Sequence, residues 1–170
     1  AITERCDFRC TYCMAEEMEF EPRSELLSHE EIILVATAFT ELGIEKIRVT
    51  GGEPLVRRDA PDLLVRLSKL PKLKQLCPTT NGSQISRHSN TLKNASLDKI
   101  NISLDTLRHD RFKAITRTGE LHTVINGIEI AIKQKLGKVK INSVIQRQVN
   151  DDEILDLVDF AVRLGIDISF

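Results

Sequence analysis

The chain has 170 residues, 41% of them hydrophobic and 29% charged, and its 24 lysines and arginines against 25 aspartates and glutamates leave a formal net charge of -1. That size fits one domain, and the charge balance excludes a general binder of nucleic acid or membrane surface, which needs a basic excess. With 4% aromatic residues and no tryptophan, the core must be built from leucine, isoleucine and valine.

No apolar run approaches the roughly 18 residues of a membrane span, and the start lacks the charged and apolar regions of a signal peptide. The chain is therefore expected to be soluble and intracellular. It opens on Ala1 rather than Met and stops at Phe170 inside an apolar pattern, so it is read as a fragment truncated on both sides. Ala1 to Thr3 reads as the end of a first strand. Ser28-His29-Glu30-Glu31 has the form of a capping box, and Ile32, Ile33, Ala36, Phe39 and Leu42 follow at helical spacing until Gly43, which predicts a helix from about His29 to Leu42. Lys46 to Thr50 is a strand ending at Gly51-Gly52. Asp59 is placed to cap a helix whose apolar face is Leu63, Leu64, Leu67 and Leu70.

A strand near Gln75 to Thr79, a helix near Ser86 to Ala95 and a strand at Lys99 to Ser103 come next. A short helix at Asp110 to Ile115 leads into a longer one, about Leu121 to Gln134, and Val139 to Ile145 reads as a strand. Asn150 to Glu153 resembles a second capping box, opening a helix that Gly165 closes, and Ile166 to Phe170 is the last strand. One strand followed by five helix-strand units with short connections means right-handed crossovers and a parallel α/β sheet.

Strands buried on both faces read as nearly continuous apolar runs, yet here one parity is polar. Side chains alternate along a strand, so Arg48 shares a face with Thr50, Thr79 with Asn81, Asn101 with Ser103 and Asp105, and Lys140 with Asn142. The other parity carries Ile47, Val49, Ile100, Ile102, Val139 and Ile141 and meets the helices. The polar parity lines either a wet cavity for a polar ligand or one solvated face of an open sheet.

Cys6, Cys10 and Cys13 stand within the first thirteen residues, and Cys77 stands alone. This crowding is the mark of metal binding rather than of a disulfide framework. Three thiolates on one tight loop suit a [4Fe-4S] cluster that leaves one iron open to a small molecule. The spacing also admits a zinc ion completed by Cys77 or a histidine, or an electron-transfer cluster held by all four cysteines.

The run Cys6-Asp7-Phe8-Arg9-Cys10-Thr11-Tyr12-Cys13 after a first strand, with Gly51-Gly52-Glu53-Pro54 after the second, resembles the radical S-adenosylmethionine superfamily. That resemblance implies a (βα)6 partial TIM barrel, truncated here at both ends. Its cluster iron would bind the amino and carboxylate groups of S-adenosylmethionine and cleave it to a 5′-deoxyadenosyl radical. Gly51 and Gly52 would let backbone approach the cofactor closely, and Glu53 would add a charge-assisted hydrogen bond to it.

The stretches Thr3 to Met14, Ile47 to Leu55, Thr79-Thr80-Asn81-Gly82, Ile102-Ser103-Leu104-Asp105 and Val139-Lys140-Ile141-Asn142 further resemble the GTP 3′,8-cyclase family of molybdenum-cofactor biosynthesis, a lyase family. In that family GTP becomes 3′,8-cyclo-7,8-dihydro-GTP through loss of the ribose 3′ hydrogen. The resemblance implies metal ligands Cys6, Cys10 and Cys13, and S-adenosylmethionine contacts at Tyr12, Gly52, Glu53 and Ser103. It also implies GTP contacts at Arg48, Thr79 and Lys140. Arg57 and Arg58 either face a phosphate or are solvated.

The partners implied are GTP, an external electron donor and the enzyme of the next step, with no nucleic acid or membrane. The setting implied is a cytoplasm or a mitochondrial matrix. The family's second [4Fe-4S] cluster has no counterpart among these four cysteines, so residues 1–170 are expected to be the core domain without the C-terminal cluster domain. Cys77-Pro78 and Ala15 depart from the family pattern, and a proline within a strand is expected to disturb the ladder beside Thr79. The runner-up is a radical S-adenosylmethionine enzyme acting on a peptide or tetrapyrrole.

Overall fold

A computed structural model describes residues 1–15 and 17–170. Five strands, β1 (Lys46–Val49), β2 (Gln75–Thr80), β3 (Lys99–Ser103), β4 (Lys138–Asn142) and β5 (Asp167–Ser169), form one sheet in the order β1-β2-β3-β4-β5, each pair parallel. The connections carry α1 (His29–Glu41), α2 (Ala60–Leu67), α3 (Ile85–Lys93), α4 (His109–Thr116), α5 (Leu121–Lys133) and α6 (Ile154–Leu164). Strands that advance one place at a time through right-handed crossovers keep their helices on one side of the sheet. Neighbouring helices accordingly touch, α1 with α2, α2 with α3 and α3 with α5. The parallel sheet is the one that the alternation of elements implied, and it forms the wall of the partial barrel that the family resemblance implied.

The two strand parities separate as expected. Val49, Leu76, Ile100, Ile102, Val139 and Ile141 are buried in one core with Leu63, Leu64, Ile85, Leu92, Val124 and Ile128 of the helices. The polar parity runs in register across the sheet: Arg48 pairs with Cys77, Thr79 with Asn101, Asn101 with Lys140 and Lys140 with Asp167. Pro78 does not displace Thr79. It lies inside β2 opposite Val49, and the ladder to β3 starts one residue later, at Thr79. The Asp98 carboxylate takes the Leu76 N–H at 2.7 Å where the ladder is absent.

Ser28 caps α1 as its capping box predicted, accepting from Glu31 N at 3.2 Å while Glu31 accepts from Ser28 N at 2.7 Å. Two other expected caps are spent elsewhere. Asp59 makes no side-chain cap bond to α2, because its carboxylate pairs with Arg57 at 2.9 Å and His29 at 3.0 Å. Asn150 makes none either, and a 3-10 turn (Asp151–Glu153) precedes α6. The Asn150 amide instead donates to Asp105 O at 2.7 Å and Val144 O at 2.9 Å.

Residues 1–3, expected to end a strand, form an extended stem with no strand assignment. Their bonds fall just past β1: Ile2 N donates to Thr50 O, Gly52 N to Thr3 O and Glu53 N to Arg5 O, each at 2.8 Å. A Cβ on Gly51 would collide with the Thr3 carbonyl, and one on Gly52 with the carbonyls of Glu4 and Arg5. The close approach these glycines permit is thus made by the chain's own stem.

Glu53, expected to face a ligand, turns inward and is completely buried. Its carboxylate accepts from Leu55 N at 2.9 Å, from the Thr80 hydroxyl at 2.7 Å and from Asn81 N. Those donors lie on the turn itself and at the end of β2, so the acid locks two strand ends together. Burial pushes its carboxyl from 4.5 up to about 7, against the lowering effect of the three hydrogen bonds.

Leu64→Ala should lower unfolding free energy by about 3 kcal/mol, whereas Leu34→Ala, at a residue 70% exposed, should change it by less than about 0.5 kcal/mol; urea titration measures both. For Glu53, a folded pKa above the unfolded one means the native state holds the proton more tightly. Its contribution is greatest below 4.5 and is lost as pH rises to about 7. Wild type should therefore lose stability across that window relative to Glu53→Gln. Parallel pH profiles of the two proteins would refute this.

Candidate functional site

The stem delivers the cysteine loop to the carboxyl ends of the strands. Arg9 N donates to Thr116 O and Thr11 N to Ile115 O, each at 2.9 Å, which seats the loop on the last turn of α4. Phe8 plugs it into the core, edge-on to Phe112 with ring centroids 5.9 Å apart. Arg9 Nη1 donates to Cys6 O at 2.6 Å and Phe8 O at 2.9 Å, closing the first half of the loop. In the second half, Cys13 N and Met14 N both donate to Cys10 O, at 2.9 and 3.1 Å.

Asp7 supplies the lateral tie. Its carboxylate accepts from Asn81 Nδ2 at 2.7 Å, Ser83 Oγ at 2.6 Å and Gln84 Nε2 at 2.9 Å, all in the loop after β2. Its carbonyl accepts from the Thr118 hydroxyl at 2.7 Å. Arg57, open between phosphate and solvent in the sequence, is committed to the stem: it donates to Ile2 O at 2.9 Å and Leu27 O at 3.0 Å besides pairing with Asp59. Arg58 is exposed.

Cys6, Cys10 and Cys13 all line one cavity of about 280 Å³. Among the described residues, no three His, Cys, Asp or Glu side chains converge as a single metal ion requires. Three thiols opening on one cavity suit a group that offers several metal atoms, one thiolate to each. Cys77 is buried on β2 and absent from that cavity. Burial pushes the Cys6 thiol up to about 11, with Asp7 and Glu53 adding to the rise, and the Cys10 thiol up to about 12, with Asp105 adding. Such thiols stay neutral near pH 7 unless a cationic group arrives, and iron supplies that charge. The donor set fits a thiolate-bound cluster.

Tyr12, Gly52, Ser103 and Thr79 line the same cavity as the three thiols. Arg48 and Lys140 do not. They occupy the inward parity of β1 and β4, Arg48 exposed and Lys140 half-buried, with Lys140 in register with Asn101 and so in the row of Thr79. Glu53 lies behind the wall. Sequence reasoning assigns no role to Asp7 or Asp105. Asp105 reaches the wall at the end of the polar parity of β3, and its carboxylate accepts from the Tyr12 hydroxyl at 2.6 Å and from Val144 N at 2.9 Å. The sequence signals available were an acid inside the cysteine run and another two residues past Ser103.

No helix of the described residues is long and apolar enough to cross a membrane. A family model described as the radical SAM superfamily matches residues 1–161. Among curated relatives, "GTP 3′,8-cyclase" of Ectopseudomonas mendocina (strain ymp) is 51% identical over 170 residues, covering 100% of this chain and 51% of that protein. "GTP 3′,8-cyclase 2" of Pseudomonas aeruginosa is 49% identical with the same coverage. The chain spans about half the length of the curated relatives it matches. Among solved structures, Streptococcus suis SuiB bound to S-adenosylmethionine superposes with a TM-score of 0.74 at 24% identity, over 98% of this chain and 36% of that one. A polyhistidine-tagged anSMEcpe with bound AdoMet gives 0.73 at 16% identity, over 98% and 46%. These two share the fold. With the cysteine loop, the glycine turn and every strand but β5 inside the matched region, the chain belongs to the radical SAM superfamily.

Proposed function

We propose that this chain is the S-adenosylmethionine-cleaving core of a GTP 3′,8-cyclase, the lyase that opens molybdenum-cofactor biosynthesis. The observation that carries the reading is a division of the inward surface. Thiols, Tyr12, Gly52 and Ser103 wall one cavity, while Arg48 and Lys140 hold cations on the same face of the sheet, in a chain of net charge -1. The identity of about one half to curated GTP 3′,8-cyclases supports it.

Cys6, Cys10 and Cys13 would hold a [4Fe-4S] cluster. The cluster and S-adenosylmethionine together supply one-electron chemistry and abstraction of a hydrogen atom from the substrate sugar. Tyr12, Gly52 and Ser103 bind S-adenosylmethionine, and the inward Glu53 serves it by holding the Gly52 turn against β2. Thr79, Arg48 and Lys140 bind GTP, the two cations meeting its triphosphate by charge-assisted hydrogen bonds. The buried Phe8 anchors the loop that carries the thiols in the core. An external electron donor, the enzyme of the next step and a cytoplasmic or mitochondrial-matrix setting belong to this reading. So does a second [4Fe-4S] cluster, assigned to the length of the relatives that this chain does not span.

Cys10→Ser should lose the cluster after anaerobic reconstitution, and Cys77→Ser should keep it with an EPR spectrum that changes on adding S-adenosylmethionine. Metal loss in Cys77→Ser, or a parent spectrum indifferent to S-adenosylmethionine, would instead indicate a four-cysteine electron-transfer or zinc module. Arg48→Ala and Lys140→Ala should each weaken GTP binding roughly ten-fold while leaving the binding of guanosine unchanged, as measured by calorimetry. The polypeptide of 170 residues alone should cleave S-adenosylmethionine poorly at best and leave GTP uncyclised; efficient conversion of GTP would overturn the reading of this chain as a core.

A further inference from the structure

Tyr12 is where the cysteine loop meets the far side of the cavity. It is 42% exposed, yet its hydroxyl donates at 2.6 Å to Asp105, a residue only 6% exposed and 93 positions away in sequence. The second oxygen of that carboxylate accepts from Val144 N at 2.9 Å. The fully buried Asn150 then binds both partners, donating to Asp105 O at 2.7 Å and to Val144 O at 2.9 Å. One carboxylate therefore joins three segments: the cysteine loop, the loop after β3 and the loop after β4.

A phenol 42% exposed on a loop between two cysteines gains less from packing than a core ring does. A charge-assisted hydrogen bond to a buried, doubly anchored carboxylate selects one ring position. Asn142, Lys140 and Val144 are on or just past β4, so the anchor of the ring is continuous with the strand that carries the proposed GTP-binding lysine.

We propose that Asp105 is a positioning residue for Tyr12, fixing its ring across the S-adenosylmethionine cavity by tethering the hydroxyl to the loop after β4; this rests on the reading of that cavity given above. Asp105 also lines the cavity, so a direct contact with the cofactor is the alternative to be separated. The two differ in how Asp105 and Tyr12 combine. If Asp105 acts through Tyr12, removing the hydroxyl leaves nothing further for Asp105 to lose.

The chain contains one tyrosine and no tryptophan, so its ultraviolet emission reports Tyr12 alone. A phenol that donates to a carboxylate emits weakly. Before cluster reconstitution, Asp105→Asn should raise the emission, and Asp105→Ala, which removes the acceptor altogether, should raise it further; circular dichroism verifies that each is folded. Unchanged emission in both would overturn the proposal. After reconstitution, Tyr12→Phe and Asp105→Asn should each weaken S-adenosylmethionine binding about ten-fold, and the double variant should be no weaker than either. Losses that multiply to roughly a hundred-fold would mean that Asp105 acts on its own and would overturn the proposal alone. A parent chain that binds no S-adenosylmethionine would overturn the cavity reading and the proposal together.

Discussion

The docking of the stem onto the Gly51-Gly52-Glu53 turn is the constraint on which the site depends. Three backbone bonds of 2.8 Å join the two segments, and neither glycine has room for a Cβ. A side chain at Gly52 would push the stem away from the end of β1 and carry Cys6 with it. The turn is held in its own place by Glu53, whose buried carboxylate takes donors from β2 and the residue after it. The position of the thiols relative to the sheet thus follows from one strand-end turn that contributes no thiol itself.

Three acids do related work around the cavity. Asp7 ties the loop to the segment after β2, Glu53 ties the turn to β2, and Asp105 ties Tyr12 to the segments after β3 and β4. Each carboxylate is consumed by protein donors, so none is left as a bare anion in the cavity. Their charges still act at a distance: Asp7 and Glu53 help to raise the Cys6 thiol, and Asp105 helps to raise Cys10. Burial first, and these acids second, make the Cys6 and Cys10 thiols poor anions on their own and good partners for a cationic metal group. The acids that shape the loop thus add to the effect that its burial already has on these two thiols.

Much of this was legible beforehand, for a physical reason. Strand parity and helix periodicity are repeated signals: β3 falls at Lys99–Ser103 as expected, and α1 ends one residue before its expected Leu42. The Ser28 box forms because both its partners are local. The failures share the opposite trait. Asp59 and Asn150 stand at suitable cap positions, but His29 and Asp105 engage them from distant parts of the chain, alongside the nearby Arg57 and Val144. Glu53 follows two glycines and reads as a hydrogen-bond partner of the cofactor, yet Thr80 and Asn81 draw it inward across 27 and 28 positions. No spacing in sequence marks such bonds. Of the three acids that tie the site together only Glu53 carries a role in the sequence, and the partners of all three became visible only in the fold.

Strand ends and strand faces carry separate tasks in this fold. SuiB and anSMEcpe share this architecture at 24% and 16% identity, and a fold kept at such divergence must rest on few positions. Here the apolar parity packs against helices, and the cysteine loop and glycine turn occupy the strand ends. The inward parity below them, with Arg48, Lys99, Lys138 and Lys140, neither fills the core nor holds the loop. Lys138 is paired there with Asp167 at 2.9 Å, and Lys99 and Lys140 also act on that carboxylate, holding it below its usual range. One acid facing three lysines leaves an excess of positive charge on that surface. Substitution of these cations changes the charge of the face at little cost in packing, whereas truncation on the opposite parity opens a cavity in the core. The charge of the inner face is therefore free to vary while the packing of the opposite parity stays the same.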